Sequence, residues 1–234
     1  MVKKFVILLL VAGMGLIFFN MFQSFESNGN LSQLGNYYAK NGAAEVGAAN
    51  LVTAIVVTYR GLDTLGEVSI LFLTAAIISF VLKFQSEELD EDREVRASSE
   101  VLTSATQVFT PIIMMVGIYI FINGHLTPGG GFQGGAVIAS AVVLMFMSNP
   151  KFKVNHTIIS AVESFSGIGF IVIGIIGILA AGGFLDNRIM SLGTFGTLIS
   201  AGAIPLIYIF IGLKVGAELS NIIGTLSHAQ KEKK

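Results

Sequence analysis

The chain is 234 residues long, 53% hydrophobic and 12% charged, with a formal net charge of −1 and no cysteine. This excludes a nucleic-acid partner drawn by charge, and on this chain it excludes disulfides, thiolate-held zinc and cysteine-ligated iron–sulfur clusters. Long apolar runs recur, several near the ~20 residues that cross a bilayer, so the expected fold class is all-α: a polytopic membrane protein of about six transmembrane helices, with a short half-helix or re-entrant segment after the first loop.

Phe5 to Met21 is the first span. Lys3 and Lys4 before it favour a cytoplasmic N-terminus. No small-x-small cleavage site follows it, only Ile17-Phe18-Phe19-Asn20-Met21, so an uncleaved helix is expected. Gln23 to Asn50 is rich in Asn, Gly and Ser and reads as an extracytoplasmic loop. Ala49 to Tyr59 is apolar but short for a span, which predicts a half-helix or re-entrant segment. Arg60-Gly61-Leu62-Asp63-Thr64-Leu65-Gly66-Glu67 then places two acids and a base within eight residues, ahead of an apolar run from Val68 to Leu82. Asp63 and Glu67 share a face if the helix begins at Thr64 or earlier, and Asp63 suits the helix N-cap. Two readings stand: a capped helix end with a surface ion pair, or an ion-handling cluster at the membrane edge.

Glu87 to Glu100 is the most charged segment and reads as a solvated linker between two modules. Thr103 to Asn123 is the third span, with Pro111 breaking its early part. Next comes His125-Leu126-Thr127-Pro128-Gly129-Gly130-Gly131-Phe132-Gln133-Gly134-Gly135, in which five of eleven residues are glycine. Pro128 cannot continue the incoming helix, so this stretch is a break and tight re-entry whose second half opens the next helix. Gly129, Gly131 and Gly134 have the spacing G-x-G-x-x-G, but that spacing signals a dinucleotide only inside a βαβ unit, and both flanks here are long apolar helices. Phe132 to Ser148 is the fourth span, Asn149 to Lys153 a short basic loop, and Thr157 to Ala181 the fifth. Gly182 to Arg188 is a turn, and Met190 to Leu213 the sixth span, with Pro205 as a kink. If Ala49–Tyr59 does not cross, Lys3/Lys4, the Lys83–Arg96 region, Lys151/Lys153 and the C-terminal lysines fall on one side. Both termini are then cytoplasmic, in the cell membrane, with the glycine-rich turn and the Arg60–Glu67 cluster outside.

Glu163 lies about two turns into the fifth span, roughly 10 Å deep at 1.5 Å per residue. Lys214 and Glu218 are expected at the cytoplasmic end of the sixth, which makes Lys214 the nearest candidate partner for Glu163. A structural ion pair and a proton or cation relay both stand as readings. His125 titrates near neutral pH and equally suits the C-terminal end of the third span.

The run His125–Gly135, with the Lys151/Lys153 loop, Glu163 and Ile211-Gly212-Leu213-Lys214-Val215-Gly216, resembles the MrpB (MnhB) family of small four-span subunits of multisubunit Na⁺/H⁺ antiporters. The resemblance covers about Thr103 to Ser220. Val57 to Glu67 resembles the C-terminal end of the large MrpA subunit, a piece that is a separate two-span MbhE-like subunit in related membrane-bound hydrogenases. The resemblance implies a two-span module over 1–86, a charged cytoplasmic linker over 87–100 and a four-span module over 101–234. It implies a transport subunit on the sodium pathway, with Na⁺ and H⁺ as transported ions and no cofactor or resident metal on this chain. The ion-pathway candidates are Asp63, Glu67, Arg60, His125, Thr127, Pro128, Phe132, Glu163 and Lys214. Transient sodium is expected at Asp63, Glu67 and Glu163, with carbonyls of the glycine-rich turn as further oxygen ligands at the outer mouth. Implied partners are antiporter-like subunits of the MrpA and MrpD type, small subunits of the MrpC, MrpE, MrpF and MrpG type, hydrogenase-type redox subunits, and lipids. The rival readings are a redox-driven hydrogenase or sulfur-reductase complex around the same module, and a purely structural assembly subunit.

Overall fold

A computed structural model describes residues 2–24, 31–86, 98–149, 152 and 155–232. Among these residues the regular structure is helical, apart from one isolated bridge between Gly193 and Ser200. Six helices are long and apolar enough to cross a membrane: α1 (Val2–Gln23), α4 (Gly61–Ser86), α5 (Glu100–Ile122), α6 (Gly131–Ser148), α7 (His156–Ala180) and α8 (Ile204–Glu232). The protein is a polytopic all-α membrane protein, as the apolar runs predict. The charged linker before Glu100 and the basic pair Lys151/Lys153 lie outside the described residues.

The chain divides into two units, Met1–Tyr37 and Tyr38–Lys234. The first carries α1, an apolar helix without an acidic residue in its first turn. The second carries the bundle and its core.

Several boundaries differ from the sequence reading. The stretch read as an extracytoplasmic loop contains α2 (Gln33–Val46). After a break at Gly47–Asn50 the chain turns by 92° into α3 (Leu51–Thr53), which continues as π-helical turns over Ala54–Tyr59. The short apolar segment is thus the second arm of a bent helix pair. Pro111 does not break α5, which runs continuously through it. The sixth span starts at Ile204 rather than Met190. Residues 190–203 form a loop in which Gly193, Gly202 and even Ala201 take left-handed φ, which ends helix propagation there. Pro205 is therefore no kink: it stands in the first turn of α8, where its missing N–H costs nothing.

Helix α8 is the centre of the larger unit. It packs against α4, α5, α6 and α7, and Ile204, Ile207, Tyr208, Ile211 and Val215 on it join Phe170, Ile173 and Leu185 in the core. Helix α6 runs alongside it at close range. A Cβ on Gly131 would stand 2.6 Å from that of Ile211, and one on Gly135 would stand 2.7 Å from that of Val215. At these two positions the absence of a side chain sets the helix separation, as small residues do in membrane interfaces.

Gly135→Leu is expected to force α6 off α8 and destabilise the bundle by at least about 1–3 kcal/mol, the cost of an overpacked core. Thermal unfolding in detergent, compared with Ala136→Leu on the exposed side of the same helix, checks this.

Candidate functional site

Two polar constructions stand out in an otherwise apolar bundle. The first is a clasp at the end where the chain breaks. Asn50 caps α3, its Oδ1 accepting from the amides of Val52 (3.1 Å) and Thr53 (3.4 Å). Its Nδ2 donates to the carbonyls of Gly124 and Thr127, both at 2.9 Å, and its backbone N–H donates to His125 O at 3.0 Å. The Thr53 hydroxyl donates to Gly124 O at 2.6 Å and accepts from the Tyr208 hydroxyl at 2.9 Å. Asn187, fully buried, plays the matching part from the loop before α8. Its Nδ2 donates to Val46 O at 2.7 Å and to Ala201 O at 2.9 Å. Asp186 beside it pairs with Arg188 and caps the short helical turn Asn187–Ile189.

Of the carbonyls that the sequence reading assigns as oxygen ligands at an outer mouth, those of His125 and Thr127 accept hydrogen bonds from Asn50. The turn does meet a polar break from the N-terminal side, but that break is Asn50–Thr53 rather than Arg60–Glu67. Thr127 contributes its carbonyl, Pro128 ends the turn ahead of two glycines with φ near +150°, and Phe132 packs against the core. His125 is fully buried with Nε2 3.3 Å from Thr197 O, which assigns the ring proton to Nε2. Burial pulls its pKa below the ordinary 6.5, against the opposing pull of the Thr197, Ile122 and Leu198 carbonyls.

The Arg60–Glu67 cluster is exposed. Helix α4 begins at Gly61, so Asp63 lies in its first turn rather than at its N-cap, and it pairs with Arg60, more than half of each side chain facing outward. Glu67 is exposed one turn further on. Arg60 and Asp63 thus form an ion pair on the surface of this chain.

The second construction lies inside the bundle. Lys214 is the eleventh residue of α8 and Glu218 the fifteenth, so the pair sits about 15–21 Å along the helix, in the middle part of its apolar stretch Ile204–Leu226. The sequence reading puts both at the helix end, and the difference follows from the later start of α8. Lys214 Nζ stands 2.6 Å from Glu218 Oε1, with side-chain exposures of 9% and 0%. The partner of Lys214 is therefore Glu218, one turn away on its own helix, and not Glu163. The ammonium also lies 5.0 Å from the centroid of the Phe72 ring on α4. Among the described residues Glu218 Oε2 has no hydrogen-bond partner. Glu163 on α7, half-buried, acts electrostatically on Glu218 and joins Lys214 in lining a cleft of about 560 Å³ between α4 and α7. Glu163 and Lys214 thus face one cleft from two helices, with Glu218 fully buried behind Lys214. Among the described residues no cluster of three or more His, Cys, Asp and Glu side chains is arranged to hold a metal.

Comparison with known proteins accords with this architecture. The family model for domains related to the MnhB subunit of Na⁺/H⁺ antiporters matches residues 101–221, and the MbhE model, named for the E subunit of MBH, matches residues 2–90. An uncharacterized protein of Methanocaldococcus jannaschii is 33% identical over 202 residues, which cover 76% of this chain and 77% of that protein. The B subunit of a Na(+)/H(+) antiporter of Bacillus subtilis is 30% identical over 108 residues, 44% of this chain and 70% of that one. Among solved structures, a chain of the membrane-bound sulfane sulfur reductase (MBS), an archaeal respiratory membrane complex, superposes with a TM-score of 0.78 at 37% identity, covering 97% of this chain and 98% of that chain. A chain of the Mrp complex from Dietzia sp. gives a TM-score of 0.77 at 22% identity, covering 96% of this chain and 26% of that chain, a likeness of fold.

Asn50→Ala strips the Thr127 carbonyl of the amide donor, leaves Gly124 O with the Thr53 hydroxyl alone and takes the cap from α3, and is expected to cost about 1–3 kcal/mol, read as a lowered melting temperature. The clasp is also acid-sensitive. The folded pKa of His125 is depressed, so its contribution is fully present above pH 6.5 and is lost as pH falls below that value, where the unfolded chain takes the proton first. Melting temperatures measured between pH 7.5 and 5 should fall less in His125→Gln, which keeps a donor for Thr197 but does not titrate.

Proposed function

The chain belongs to the family of domains related to the MnhB subunit of Na⁺/H⁺ antiporters, and on that premise we propose that it is a non-catalytic subunit of a multisubunit Mrp-type cation/proton translocation module, contributing to the sodium pathway. The observation that carries this is the Lys214–Glu218 pair at mid-span, with Glu163 beside it on an open cleft. An ionisable group at that depth is costly to place, and where it is kept it marks ion or proton routes. Glu218 has one oxygen free to take a proton or a cation, Lys214 compensates its charge, and Glu163 offers a second carboxylate toward the cleft. Sodium and protons are the transported species, and no cofactor is assigned to this chain. Asp63, Glu67 and His125 belong to the end opposite the cytoplasm, both termini being cytoplasmic in the cell membrane.

A second reading concerns the parent complex. The match to the sulfane sulfur reductase chain spans nearly the whole of both proteins. That favours a redox-driven assembly whose electron chemistry resides in other subunits. Purification of the intact complex in mild detergent decides this: iron and iron–sulfur absorbance are expected, whereas antiporter-like subunits without iron would make it a secondary antiporter.

Removing one partner of a buried ion pair costs about 3–5 kcal/mol, while replacing both with packed apolar residues is close to neutral. Lys214→Met alone should therefore lower the yield of assembled complex, and Lys214→Met with Glu218→Leu should restore it. In proteoliposomes the double variant is expected to assemble and yet lose coupled Na⁺ and H⁺ flux, with Glu163→Gln impaired in the same way. Unchanged flux in the double variant would leave only a structural role for the pair.

A further inference from the structure

Among the described residues, Glu163 is the member of the charged trio without an ion-pair partner. Lys214 is committed to Glu218 at 2.6 Å and to the face of Phe72. Glu163 and Lys214 both line the cleft, and the ammonium is turned to Glu218, which leaves the Glu163 carboxyl as the polar group the cleft offers to an occupant. Glu163 lies seven residues into α7, roughly 10 Å along the helix. A carboxylate bordering lipid tails at that depth is unfavourable without a counter-charge.

We propose that the cleft between α4 and α7 seats a transmembrane helix of a neighbouring subunit, and that this helix presents a lysine or arginine to Glu163. The proposal rests on the reading that the chain works inside a multisubunit membrane assembly. Lipid is the rival occupant, but acyl chains offer no cation and would leave Glu163 as it is. The surface also has the relief of a helix seat. Ser69 on α4 and Ser164 and Gly167 on α7 line the cleft with small side chains, which let a backbone approach closely. Leu73 and Ile168, on opposite sides, are 56% and 64% exposed and give the flanking apolar contacts. Arginine fits the carboxylate through a two-pronged contact, and lysine through a longer, flexible reach.

The test uses the intact complex. A photoreactive amino acid placed at Ile168, and separately at Leu73, is cross-linked in the membrane and the adducts are identified by mass spectrometry. The expected adduct is a peptide from another subunit's transmembrane helix that contains a lysine or arginine. Glu163→Lys should then release that subunit on purification, and exchanging its basic residue for glutamate should restore it. Adducts confined to lipid or to the chain itself, a cross-linked helix without a basic residue, or failure of the charge exchange to restore association would overturn the proposal. If the chain purifies without other membrane subunits, the assembly reading itself fails. An intact complex with lipid adducts alone removes only the docked helix.

Discussion

A backbone that leaves its helix at the end of a membrane bundle must find hydrogen-bond partners in protein, because lipid offers none. In this chain three such departures meet: the bend after α2, the glycine-rich turn between α5 and α6, and the loop ahead of α8. Each one supplies what another lacks. Asn50 gives donors to the turn's carbonyls, Asn187 gives donors to the end of α2 and to Ala201, and Tyr208 completes Thr53. The glycines of the turn let α6 start close to α8. The irregular end is thus tied together by its own side chains, and it holds the bent pair, the turn and α8 in one arrangement.

That arrangement fixes where the charges lie. Because α8 begins at Ile204 and is packed on four sides, Lys214 and Glu218 fall at mid-helix and inside the bundle. The pair is offset toward α4 and α7, the side on which the packing is looser and the cleft opens. Against α6, α8 is closed by the contacts of Gly131 and Gly135 with Ile211 and Val215. One helix therefore has a tight apolar flank that positions it and a polar flank on which its charges face an opening, and the second depends on the first.

Much of the fold is legible in the residues. The break at His125–Gly135 and the bounds of α5, α6 and α7 follow from proline, glycine and the length of apolar runs. The start of α8 does not, because residues 190–203 read as a continuation of the apolar run; only Gly193, Gly196 and Gly202 mark them as loop, and Pro205 marks the first turn that follows. The depth of Lys214 and Glu218 is hidden for the same reason, since depth is counted from the helix start. The clasp leaves little trace in sequence. Asn50 carries the signal of a helix cap ahead of an apolar run, but nothing periodic shows that its amide reaches carbonyls more than seventy residues away. Asn187 is one polar residue in a turn of several.

Those long reaches bear on how the chain is made. The clasp bonds join residues 71, 74, 77, 141 and 155 positions apart, so the bend after α2 closes in stages, as the turn after α5, then the loop at Asn187, then the start of α8 are synthesised and inserted. Until then the polar groups at that bend depend on water at the membrane surface or on other proteins, and contacts of such separation form late. Carrying the MbhE-type and MnhB-type segments on one chain turns their meeting from an encounter between two membrane proteins into a closure within one. The closure is governed by the length of the intervening chain rather than by the abundance of either piece. The clasp, read in this way, also records how far synthesis has gone: a chain that stops short of the glycine-rich turn has no partner for Asn50, and one that stops short of α8 lacks the Tyr208 hydroxyl that completes Thr53.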